Sequence, residues 1–160
     1  MTNMRNAAGR YAEVELATRV ASASPHQLII MLYEGAIQSV MQARTHMQAG
    51  QQQEKGLAIK RAMSIIEEGL RLSLDKNAGG EIAQNLDDLY TWMTFRLFFG
   101  NAQNDEEKLN EVLTLLGTLK SAWEELDSRE SKEKNKSLDQ IMDLIPPVER
   151  SSPAKTWGHA

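Results

Sequence analysis

The histidines, the paired carboxylates and one glycine doublet are the residues of this chain that could carry chemistry, and their spacing argues against each use. A two-metal site inside a helical bundle needs Glu-x-x-His pairs on facing helices, so that carboxylates and imidazoles project inward together. The histidines are His26, His46 and His159, and none has Glu three residues before it. His46-Met47-Gln48-Ala49-Gly50 has a glycine but no lysine to hold a phosphate, and it falls at a helix end, so His46 reads as solvent-facing rather than as a phosphotransfer residue. Gly79-Gly80 has no following Lys-Ser or Lys-Thr and no preceding strand, and reads as a helix-breaking turn. Glu67-Glu68, Asp87-Asp88 and Glu106-Glu107 are adjacent, so on a helix they diverge by about 100° and belong to solvated faces or first turns. With no cysteine, thiolate nucleophiles, disulfides, Cys-based zinc sites and iron–sulfur clusters are all excluded, and a reducing compartment is expected. No catalytic residue, metal or cofactor is expected.

The elements that would position any site are helical throughout. Ser24-Pro25-His26-Gln27 has Ser as N-cap, Pro at the first helical position and Gln three residues after the cap, which is a capping box. Apolar residues then recur at helical spacing from Ile29 to Met47, until Gly50. A second helix carries Ile59, Met63, Ile66, Leu70 and Leu74, and Asn77-Ala78-Gly79-Gly80 breaks the pattern. A third carries Ile82, Leu86, Leu89, Tyr90, Met93 and Leu97. Asn104 with Glu107 suggests a second capping box, opening a fourth helix with Leu109, Val112, Leu113, Leu116, Leu119, Trp123 and Leu126. The expected fold is all-α, an antiparallel up-down four-helix bundle over residues 24–127. Residues 1–23 form a partly helical N-terminal segment, with a short helix around Tyr11, Val14 and Thr18, that covers a groove on the bundle. Residues 128–160 read as a linker or a solvated extension of the fourth helix, mostly flexible. Within them an amphipathic patch at 138–145 is expected to pack back on the bundle. A chain of 160 residues and net charge −4, without a basic stripe, argues against nucleic acid as partner. Its longest apolar run is far below the roughly 20 residues of a membrane span. It reads as cytoplasmic, with no direct membrane insertion.

More apolar surface is present than a bundle core needs. On the third helix the core stripe spans roughly 100°, while Trp92, Phe95 and Phe99 fall at roughly 220° to 280° from Ile82. Ile30, Ile37 and Met41 do the same on the first long helix, and Ile65 and Leu72 on the second. A second stripe must face an extra element, another subunit or a partner. These eight residues are the candidate partner-binding surface. The competing reading is a structural bundle whose spare stripes form a homodimer interface, with no client.

Tyr11, Val20-Ala21-Ser22-Ala23-Ser24-Pro25 and Leu28-Ile29-Ile30-Met31-Leu32-Tyr33-Glu34-Gly35-Ala36 closely resemble the opening of the flagellin-specific export chaperone family, FliS. The resemblance continues through Lys60-Arg61-Ala62-Met63-Ser64-Ile65-Ile66, Gly80-Glu81-Ile82-Ala83-Gln84-Asn85-Leu86, Leu89-Tyr90 and Ala122-Trp123, and covers about residues 8–127. It implies a non-enzymatic, cytoplasmic chaperone that holds the C-terminal segment of flagellin over apolar grooves, prevents premature polymerisation and delivers it to the flagellar type III export apparatus. It also implies that the segment around Tyr11 is a displaceable cover. The cytoplasmic domain of the export gate is an implied partner, and some relatives bind an anti-sigma factor. A weak homodimer is a further possibility. Residues from about 128 on have no counterpart in the resemblance.

Overall fold

The structure is a computed structural model and describes residues 2–144, apart from the side chains of 2–6 and 8. It divides into two units, Met1–Glu124 and Glu125–Ala160, the second described as far as residue 144. All regular structure among the described residues is helical: α1 (Thr2–Ser22), α2 (Pro25–Gln48), α3 (Gln52–Ser64), a π-helical continuation of α3 (Ile65–Arg71), α4 (Lys76–Gln103) and α5 (Glu106–Asp143).

The local signals account for most of these boundaries. The Ser24 hydroxyl accepts from the Gln27 amide at 3.2 Å and the Gln27 side-chain oxygen accepts from the Ser24 amide at 3.0 Å, so both bonds of the capping box at α2 are made. Gly50, at φ 71°, ends the turn after α2. At the next junction Asn104 is the left-handed C-cap of α4 (φ 50°), a conformation Asn tolerates better than most residues. It is Asp105, not Asn104, whose carboxylate accepts from the Glu107 amide, at 3.1 Å, and opens α5. The expected cap was therefore one residue early.

The second helix departs from expectation in kind. Ile59, Ala62, Ile66 and Leu70 are all buried, the last three at intervals of four. In an α-helix such a row rotates by about 40° per step, and the wider turn of the π segment keeps Ile66 and Leu70 on the core side. The expected break at residues 77–80 is a kink rather than an end. Asp75 caps the start of α4 through the Asn77 and Ala78 amides, and Gly80, at φ 53° and ψ −126°, turns the chain within it.

α2, α3 with its π segment, α4 and the first part of α5 close into a ring. α3 packs against both α2 and α4. α5 joins α4 through Arg96–Glu111 at 2.7 Å, and α2 through Arg44–Asn110 at 3.0 Å and Gln48–Glu106. The core inside the ring holds Tyr33, Val40, Ile59, Ile66, Met93, Leu97, Leu109 and Leu116. Ile82, expected in it, is exposed because it lies just beyond the Gly80 kink, and Leu126 is exposed as well. α1 is longer than expected. Every side chain described along it is exposed.

In the second unit the chain stays helical to Asp143, because no Gly or Pro interrupts it and ion pairs such as Arg129–Glu125 (2.5 Å) support it four residues apart. Leu138, Ile141, Met142 and Leu144 are exposed. Ile145, Pro146, Pro147 and Pro153 lie outside the described residues.

Candidate partner-binding surface

The buried polar residues of the bundle are committed to holding it together. The Tyr33 and Tyr90 hydroxyls meet at 2.5 Å across the core, linking α2 to α4. On α5, the Trp123 ring lies 5.5 Å from that of His26. Burial pushes both phenols above the ordinary tyrosine range. Asp87, expected on a solvated face, is instead buried. Arg71, at the end of the π segment, donates to it at 2.6 Å, and Lys76 lies 3.5 Å away. The hydrogen bond from Arg71 holds the Asp87 carboxyl below its usual range, against the opposing effect of desolvation. Lys55 is buried at the start of α3, and its ammonium donates to the Asn101 carbonyl (2.9 Å), to Gln52 (2.7 Å) and to Asn104, closing the C-terminal end of α4 where a cation is favoured.

The apolar residues left over are unevenly placed. On α4, Trp92, Phe95 and Phe99 are exposed while Tyr90, Met93 and Leu97 fill the core, so the helix carries two separate stripes. Phe95 is 60% exposed. The Arg96 guanidinium lies 5.6 Å from the centre of the Trp92 ring while its Nε holds Glu111, which fixes one edge of the aromatic stripe. Phe98 extends the other edge: it packs edge-on against Phe99 at 5.4 Å and borders a groove with Met63 of α3 and Glu67 of the π segment. Sequence reasoning missed Phe98 because it stands on the shoulder between the two stripes of the wheel.

The remaining candidates do not join that stripe. Ile37 and Met41 line a second groove on α2, bordered by Lys120 of α5. Ile37 is half-buried and packs on the core, as does Ile65, whose Cδ1 would lie 3.4 Å from a Cβ at Gly35. Ile30 is half-buried, and Leu72, past the π segment, is 75% exposed. Tyr11 is 77% exposed on α1. The α1 side chains that do border the bundle are Leu16 and Val20, which line a third groove with Leu28, Met31 and Leu32 of α2, and Arg19, 3.6 Å from Glu34. No helix among the described residues is long and apolar enough to cross a membrane.

The closed helical ring has a filled core and aromatic surface to spare. The flagellar protein FliS family matches residues 6–130. The flagellar secretion chaperone FliS of Salmonella typhimurium is 42% identical over 121 residues, which are 76% of this chain and 90% of that protein. FliSB of Pseudomonas aeruginosa is 44% identical over 115 residues (72% and 90%), and FliS of Escherichia coli K12 is 40% identical over 115 (72% and 85%). The chain belongs to the FliS family, a family of chaperones and not of enzymes. The family match ends at residue 130, and residues 131–160 lie outside it.

Proposed function

We propose that this protein is a cytoplasmic export chaperone that binds the C-terminal segment of flagellin, keeps it from polymerising and passes it to the flagellar export apparatus. The observation that carries the reading is the exposed row Trp92, Phe95 and Phe99 on α4, beside a core that is complete without it. A partner helix docks on such a row through anchors spaced three, four and seven residues apart. The client surface also takes in Ile37 and Met41 on α2 and reaches Ile30, Ile65 and Leu72. These residues lie in more than one patch, which suits a client that wraps around the bundle in short helical pieces. The N-terminal segment around Tyr11 is the displaceable cover, and Leu16 and Val20 further along α1 border a groove with Leu28, Met31 and Leu32 of α2. The cytoplasmic domain of the export gate is the proposed destination of the loaded complex, and an anti-sigma factor is a proposed further partner.

Mixing the protein with flagellin under polymerising conditions tests this reading. Stoichiometric suppression of filament growth is expected, and growth at the same rate with and without the protein would contradict it.

A further inference from the structure

Of the three aromatics on the outer face of α4, Trp92 is the one with a cation against its ring. The Arg96 guanidinium carbon lies 5.6 Å from the ring centre, and the Arg96 Nε donates to the Glu111 carboxylate of α5 at 2.7 Å. Arg96 follows Trp92 by four residues, so the two side chains stand one turn apart and about 40° apart around the helix, with Arg96 on the side of α5. Met93, at about 100° from Trp92 in the same direction, is already in the core. Arg96 therefore stands on the line between the exposed row and the buried one.

An ion pair that served only to tie α4 to α5 would need a charge and no particular shape. A guanidinium adds a flat face that can lie on an indole while its edge hydrogen-bonds a carboxylate, which an ammonium cannot do. The hydrogen bond from Arg96 holds the Glu111 carboxyl below its usual range, so the anchor stays charged at neutral pH. Trp92 is 41% exposed, and a ring left free to turn at such a site must be immobilised when a partner docks on it, at a cost in affinity. We propose that Arg96 is a positioning residue for the partner-binding surface: anchored by Glu111, it presets the Trp92 ring for the client helix without touching the client itself. The inference rests on the functional reading above, since it takes the outer face of α4 as the client surface. Its size is that of one partly exposed cation–aromatic contact, a roughly two- to fivefold gain in client affinity.

Two measurements on the full chain test this, and the first needs no client. Fluorine NMR of the protein labelled with fluorotryptophan gives a signal for each tryptophan, and the Trp92 signal is the one lost in Trp92→Phe. Arg96→Lys keeps the charge and removes the flat group, so it should shift and narrow the Trp92 signal and leave that of Trp123 in place. The second is calorimetric titration of a flagellin C-terminal segment into the native chain, Arg96→Lys, Trp92→Leu and the double variant. Arg96→Lys should lower affinity roughly two- to fivefold at an unchanged helical melt, and Glu111→Ala, which frees the other end of Arg96, should cost a similar amount. In the Trp92→Leu background Arg96→Lys should change nothing further, because the ring it acts through is gone. An unmoved Trp92 signal or native affinity in Arg96→Lys would overturn the inference, since lysine would then serve as well as arginine. An equal loss with and without the Trp92 ring would overturn it too, because Arg96 would then act on the client directly. A native chain that does not bind the segment overturns the functional reading and the client role of Arg96 together, whereas native binding indifferent to Arg96 overturns this inference alone.

Discussion

At the scale of single residues, two polar contacts, one in the core and one at its edge, decide more than the sequence pattern shows. Tyr33→Phe leaves the buried Tyr90 hydroxyl without its partner across the core and should destabilise by about 1–3 kcal/mol in denaturant unfolding. The double variant Tyr33→Phe/Tyr90→Phe should cost less than the sum of the two single changes, because both partners then leave together. Asp87 makes stability depend on pH. Its carboxyl titrates lower in the folded protein than in the unfolded chain, so the contribution of the Arg71 contact is complete above the ordinary Asp range and is lost as pH falls below about 4, through the depressed folded value. The melting temperature of the native chain should therefore drop more steeply there than that of Asp87→Asn, which is less stable at neutral pH. Nothing local distinguishes Asp87 from Asp88 in the sequence. The burial of one comes from Arg71 and Lys76, which the end of the π segment and the start of α4 bring to it.

At the scale of elements, the starts and stops that rest on local chemistry were legible, and those set by packing were not. The capping box at Ser24 needs only four residues, and it stands as the residues imply. The π segment has no such signature: it arises because Ile66 and Leu70 must both face the core, a demand made by α2 and α4. Gly80 could be seen to interrupt a helix, but whether it ends or bends one depends on Asp75 capping the stretch before it. Its backbone conformation is open to glycine alone, so Gly80→Ala should destabilise by about 1–3 kcal/mol in thermal unfolding. Gly100 is held by contact rather than by its dihedrals. A Cβ there would come within 2.7 Å of Leu109 Cδ1 and 3.3 Å of the Asp105 carbonyl, so Gly100→Ala should lower stability by about 1–3 kcal/mol, read as a shift in the denaturant midpoint.

At the scale of the whole molecule, the all-helical class and the presence of spare apolar surface could be read from helical periodicity, but the grouping of that surface could not. A wheel shows that Trp92, Phe95 and Phe99 leave the core stripe, and they are exposed. It cannot show that Ile37 and Ile65 rest on the core or that Phe98 joins the aromatic row, because those outcomes depend on which helices stand next to one another. The extension after residue 130 was ambiguous for a related reason: a polar sequence without Gly or Pro is compatible with both linker and helix. The core lies in the first unit, so ending the chain at residue 130 should leave the melt of the bundle within about 0.5 kcal/mol of the native protein while removing helical signal from the circular dichroism. The central claim, that the outer face of α4 holds the client, is tested most directly by titrating a flagellin C-terminal segment calorimetrically into the Phe95→Asp/Phe99→Asp variant. Binding to the native chain, with loss of at least a hundredfold in affinity in the variant at an unchanged helical melt, is the predicted result. Native affinity in a folded variant would contradict it.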